Sequence, residues 1–138
     1  MTKSLWINLP VKDVSKSKEF FIKFGFKLNL KFGSREDSAC FMIGDDNFIV
    51  MLFEEPLFEG FIATNIADPK LGTEVLFSID AESVEEVNEM AKKAVDAGGT
   101  LYAEPGFKDG WMYGCGFIDL DGHRWNILYM DTAKMPLG

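Results

Sequence analysis

The sequence predicts an α+β fold built from two βαβββ modules, and three observations carry that expectation. Residues 113–129, YGCGFIDLDGHRWNILY, read as a strand, a tight polar corner and a returning strand. Asp119, Asp121 and Gly122 suit the corner because Asp and Gly tolerate left-handed or locally bonded backbone. Moved back by 75 positions, residues 38–53, SACFMIGDDNFIVMLF, show the same shape without a gap. Cys40 falls on Cys115, Ile43 on Ile118, Asp46 on Asp121 and Met51 on Asn126. Each hairpin is preceded by a strand, an amphipathic helix and a further strand, so the chain is expected to repeat one unit.

Taken in order, residues 4–11 alternate as a strand ending near Pro10, and Asp13 is a natural N-cap. Residues 14–24 form a helix whose Ser17, Phe20, Phe21 and Phe24 recur at spacings of three and four on one face. Gly25 supplies its left-handed stop. A short strand at 26–30, a polar loop at 33–37 and the hairpin 39–43 with 48–53 complete the first module. Residues 54–72 are a long connection whose centre, 56–62, has the makings of a helical turn, with Phe58 and Phe61 placed to act as a lid or to pack on the core. Residues 73–79 are the next strand. Ser83 and Glu86 fit a capping box for a helix reaching about Ala97, with Val84, Val87, Ala91, Ala94 and Val95 on its buried face. Gly98-Gly99 ends it; a strand at 100–104, a Pro-Gly loop and the 113–129 hairpin follow. The expected organisation is one domain over 1–138: module 1 at 4–54, lid or linker at 55–72, module 2 at 73–131 and a tail at 132–138.

Composition narrows the function. Hydrophobic residues make up 47% and charged residues 26%, as in globular chains. Thirteen Phe and three Trp call for a dense core, an aromatic-lined cleft, or both. A net charge of -8 argues against nucleic acid, which needs a basic face. No apolar run reaches the ~20 residues of a membrane span, and no secretory leader pattern follows Lys3. Cys40 and Cys115 have no metal-ligand spacing and read as buried, reduced thiols, which fits a cytoplasmic location.

Strand parity assigns faces. Ile7 and Leu9 are expected to face the first helix, leaving Trp6 and Asn8 toward a cleft; Val75, Phe77 and Ile79 face the second helix, leaving Glu74, Leu76 and Ser78. In the last strand Trp125, Ile127 and Tyr129 back the helix, leaving Arg124, Asn126 and Leu128. Met51 and Phe53 are the first-module counterparts of Asn126 and Leu128.

With these elements in place, the sequence resembles the glyoxalase/bleomycin-resistance/extradiol-dioxygenase superfamily, the vicinal oxygen chelate proteins. The residues that carry the resemblance are VKDVSKSKEFF at 11–21, Gly25-Phe26, and Asp119-Leu120-Asp121-Gly122-His123 before the final strand. Thr73-Glu74-Val75-Leu76 and Met112-Tyr113-Gly114 are similar to the bacterial "predicted lactoylglutathione lyase" subgroup. The resemblance implies a curved mixed sheet around a cleft, with helices on the outer faces. Metal-using relatives place ligands at positions that fall here on Trp6, Glu74, Met51 and Asn126. Trp has no acceptor nitrogen, Met is a soft thioether and Asn offers one carbonyl, so no bound metal and no cofactor are expected.

The site expected in its place has Glu74 as a carboxylate that becomes a general base if the cleft desolvates it. Trp6, Asn8, Phe41, Met51, Phe53, Trp111, Tyr113, Arg124 and Asn126 are expected to line the cleft for a small organic molecule. Drug-sequestering relatives bind without chemistry and pair as homodimers, which the resemblance implies here. Two alternatives stand beside that expectation. One is an enzyme of the lactoylglutathione-lyase type, a lyase or isomerase using Glu74 or an unorthodox metal site. The other is a module whose aromatic surface meets another protein.

Overall fold

The computed structural model describes residues 1–31 and 35–136. The first two residues of the polar loop expected over 33–37, and the last two of the tail expected over 132–138, lie outside the described residues. The chain folds as two compact units, 1–68 and 69–138.

The first unit runs β1 (Ile7–Val11), α1 (Val14–Phe24), β2 (Lys27–Leu28), β3 (Ser38–Ile43), β4 (Phe48–Glu54) and α2 (Glu55–Ile62). Its sheet has the order β1-β4-β3-β2, with β1 parallel to β4 and the other pairs antiparallel. α1 is fastened at both ends. Asp13 accepts a hydrogen bond from Lys16 N at 3.1 Å, and Gly25, at φ 118°, closes the helix. A second acceptor reaches in from the sheet: Glu54 Oε2 takes the N–H of Val14 at 3.0 Å. Val14, Ser17, Phe20, Phe21 and Phe24 form the buried stripe of α1, which packs on β3 and β4.

The second unit repeats the order: β5 (Leu76–Asp80), α3 (Val84–Asp96), β6 (Thr100–Lys108), β7 (Met112–Ile118) and β8 (Arg124–Met130), followed by a 3-10 turn at Thr132–Lys134. Its sheet order, β5-β8-β7-β6, is that of the first unit strand for strand. Ser83 Oγ accepts from Glu86 N at 3.0 Å, while the Glu86 carboxylate returns to the N–H of Glu82, one residue before the cap. Val87, Ala91 and Ala94 are buried on α3, but Val95 is 47% exposed. One residue beyond Ala94 is a turn of about 100°, which carries Val95 off the stripe. Trp125, Phe117 and Ile127 form the centre of this core, with the Phe117 and Trp125 rings stacked at 6.1 Å.

Four expectations are corrected. β1 begins at Ile7 and β5 at Leu76, so Trp6 and Glu74 precede their strands. The centre of the long connection is a complete helix, α2. β6 does not stop before Pro105-Gly106 but runs to Lys108, with irregular pairing between Leu101 and Ala103 and between Ala103 and Gly106. Such bulges are where a strand tolerates a proline.

The fourth correction concerns the repeat. The turn at 44–47 between β3 and β4 is one residue shorter than the turn at 119–123 between β7 and β8. Cys40 therefore stands opposite Met51, whereas Cys115 stands opposite Ile127 and Gly116 opposite Asn126. The gapless alignment holds for β4 with β8 and fails for β3 with β7. A one-residue change of register moves every side chain of a strand to the other face. Cys115 thus lies on the face that carries Ile127, and Gly116 takes the place that Cys40 has in the first sheet.

Candidate functional site

Each sheet has one face packed on α1 or α3 and one turned away from that helix. In β4, Val50 and Leu52 are buried toward α1, so Met51 and Phe53 point to the opposite face. Asn8 pairs with Met51 and is exposed. Phe53 carries the ring of Phe61 from α2 edge-on at 5.0 Å, so α2 lies against this face while leaving Phe61 61% exposed. Trp6, just ahead of β1, is 56% exposed. Phe41 is placed otherwise than expected. It stands opposite Val50, is 1% exposed, and packs 5.8 Å from Phe21 of α1. It is a core residue of the helix-facing side.

On the second sheet, Trp125 and Ile127 are buried, and Arg124, Asn126 and Leu128 occupy the other face of β8. Asn126 stands beside Ser78 of β5 and donates from Nδ2 to Ser78 Oγ at 3.3 Å. The guanidinium carbon of Arg124 lies 4.6 Å from the centre of the Tyr102 ring. Tyr102 was not a sequence expectation. The irregular pairing between Leu101 and Ala103 aims its ring across β7 at Gly116, where any Cβ would run into that ring. The Gly114-x-Gly116 pattern was the available signal, since a strand glycine often marks a place where another group crosses the backbone. At Gly114 a Cβ would meet the Ile127 carbonyl oxygen first and then the Leu128 side chain.

Tyr113 does not join this face. It stands opposite Tyr129, its ring meets Phe107 at 4.9 Å, and its hydroxyl donates to Asn88 Oδ1 of α3 at 2.7 Å. Trp111 sits half-buried in the turn before β7, where its carbonyl accepts the N–H of Asp131 at 2.8 Å.

Within each unit the ladders also revise the positions that fall where relatives would hold a metal. Asn8 is opposite Met51, and Ser78 is opposite Asn126. Trp6 is two residues before Asn8; the residue two before Ser78 is Leu76. The caps agree, for Trp6 precedes the cap Asp13 by the same interval as Leu76 precedes the cap Ser83. The counterpart of Trp6 in the second unit is Leu76, and not Glu74. Glu74 is exposed and precedes the strand. On the first sheet these positions carry the Trp6 indole and the Met51 thioether, and on the second the Leu76 isobutyl group and an Asn126 amide already bonded to Ser78. These donors do not fit a divalent metal. Among the described residues no group of three or more His, Cys, Asp or Glu side chains gathers to hold one.

The chain's single histidine belongs to a structural corner. Asp119 is 6% exposed; its Oδ1 accepts the N–H of Asp121 at 2.9 Å and of His123 at 3.0 Å, and its Oδ2 accepts Trp125 Nε1 at 3.0 Å. Burial pushes the Asp119 carboxyl up, against the opposing pull of His123 and these donors. Burial also raises both thiols, Cys40 by burial alone and Cys115, to about 11, by burial and then by Glu104. Neither is an activated nucleophile.

Residues 3–44 match the family described as bleomycin resistance protein-like N-terminal. No curated protein sequence matches the chain. Among solved structures, a hypothetical protein, SA1046, from S. aureus is 34% identical, with 93% of this chain and 94% of that one covered and a TM-score of 0.82. A glyoxalase-related enzyme from Fulvimarina pelagi is 16% identical over 100% of this chain and 94% of its own, with a TM-score of 0.80. The fosfomycin resistance protein FosX from Listeria monocytogenes, solved with Mn(II) and sulfate, is 19% identical over 92% and 89%, with a TM-score of 0.65.

Proposed function

We propose, for a chain that belongs to the glyoxalase/bleomycin resistance/dioxygenase (vicinal oxygen chelate) superfamily, that it works without a metal and binds a small organic molecule on the sheet faces turned away from α1 and α3. The observation that carries this reading is the residue types at matched positions of each unit, Trp6 and Met51 in the first and Leu76 and Asn126 in the second. Where metal-using relatives need His or Glu, this chain offers apolar and aromatic surface with one amide. Asn8, Met51, Phe53 and Trp6 supply contact area on the first unit, and Arg124 and Asn126 supply polar orientation on the second.

Affinity in such a site comes from burial of apolar ligand surface, and the few polar groups select orientation. The 73–76 and 112–114 segments support a place in the "predicted lactoylglutathione lyase" subgroup. In keeping with drug-sequestering relatives, the reading takes the protein as a cytoplasmic homodimer. No helix among the described residues is long and apolar enough to cross a membrane.

Metal analysis of the purified chain, joined to a thermal-shift screen of aromatic, antibiotic and thiol-conjugate compounds, tests the reading. A ligand that binds only the native state raises the melting temperature. The expected result is substoichiometric metal together with at least one stabilising compound. One tightly held ion per chain would overturn it.

A further inference from the structure

The geometry points to an oxyanion subsite on the second sheet, formed by Arg124, Ser78 and Asn126 and suited to the carboxylate or phosphonate of a small organic acid. It deepens the binding reading above and rests on it.

The chain has two arginines, Arg35 and Arg124. Arg35 is paired with Asp37 at 3.2 Å. Arg124 has no carboxylate partner among the described residues, although the chain carries 22 acidic residues. It is held instead by the Tyr102 ring, 4.6 Å away. A cation–π contact uses no N–H···O bond, so it leaves unused the guanidinium N–H groups that grip a carboxylate or phosphonate through paired hydrogen bonds. The support is itself held in place. Tyr102 lies across Gly116, and the bulge in β6 sets the direction of its ring.

The neighbouring polar groups face the same way. Ser78 Oγ accepts the Asn126 amide, so its own hydroxyl proton is left to donate outward. Alternate residues of a strand stand about 6.6 Å apart on one face. An acid anchored on Arg124 therefore extends over Asn126 and Ser78. Leu76, opposite Arg124 and 51% exposed, offers apolar contact beside the anchor.

Calorimetric titration of the whole chain at low salt with benzoate, phenylphosphonate and the neutral isostere benzamide tests the subsite. Both anions should bind more tightly than benzamide. Arg124→Gln should weaken both anions by roughly tenfold or more and leave benzamide unchanged. Arg124→Lys, which keeps the charge but lacks the fork, should fall between. Phenylglyoxal labelling read by peptide mass gives a readout on the native chain: saturating benzoate should protect Arg124 and leave Arg35 reactive. Benzamide binding as tightly as benzoate, anion affinity unmoved by Arg124→Gln, or no binding of either anion would overturn the subsite. Neutral compounds that bind while both anions fail would leave the broader reading standing. A stoichiometric metal would remove that reading instead.

Discussion

Trp125 Nε1 donates to Asp119 Oδ2 at 3.0 Å, so the most buried indole of the second unit is tied to the corner that turns β7 into β8. The other carboxylate oxygen holds two backbone N–H groups of the same corner. Asp119→Ala removes an acceptor from three donors, one of them the buried Trp125 Nε1, and loss of a buried donor's acceptor costs about 1–3 kcal/mol. Urea denaturation should show a loss of roughly 2–4 kcal/mol at unchanged m-value. A loss under about 1 kcal/mol would mean that the corner is held by its backbone alone.

Cys115 gives the pH dependence a sign. Its thiol is raised from 9.0 to about 11 in the native state, by burial first and the Glu104 charge second. Between those values the unfolded chain has lost the proton and the native chain keeps it. The contribution is fully present below pH 9 and is lost as pH rises through 11, by roughly 3 kcal/mol in total. Cys115→Ala should flatten the decline of stability between pH 9 and 11 relative to the parent. Identical slopes would refute the assignment. In native protein near pH 8 both thiols should resist alkylation until denaturant is added.

Gly116 is where a single methyl group has the clearest consequence. Gly116→Ala must displace the Tyr102 ring and with it the support of Arg124. Overpacking of this kind costs about 1–3 kcal/mol. The variant should also bind benzoate more weakly than the parent. Unchanged stability together with unchanged anion affinity would show that the ring moves aside freely.

Glu54 should matter more than an ordinary exposed carboxylate. It accepts the first N–H of α1 from the end of β4, at the positive end of the helix. Glu54→Ala is expected to cost about 1–2 kcal/mol in thermal or urea unfolding, and Glu54→Gln, which keeps an acceptor but loses the charge, less. Equal losses would assign the effect to the hydrogen bond alone.

Glu74→Gln should leave ligand affinity and stability within about 0.5 kcal/mol of the parent, as for a surface position away from special features. Its exposed place ahead of β5 motivates this. A substantial loss of any turnover found for the protein would restore Glu74 as a base.

Much of the fold was open to reading because its signals are local. The Phe20, Phe21 and Phe24 stripe, the Asp13 and Ser83 caps and the Gly25 stop each lie within one or two helical turns. Parity within β4 and β8 was equally legible: Met51, Arg124 and Asn126 point away from their helices, since alternation along one strand needs no knowledge of its partner.

What the sequence by itself determined was therefore the repeated βαβββ order, its two helices with their caps and buried faces, and the side to which the residues of β4 and β8 turn. Only the tertiary structure decided which residues meet across strands: Cys115 opposite Ile127, Leu76 rather than Glu74 in the row with Asn126, Tyr113 on Asn88, and Tyr102 lying over Gly116 beneath Arg124. Those outcomes depend on register. One more residue in a turn, or a bulge in a neighbouring strand, changes the register without disturbing the periodicity of either strand taken alone.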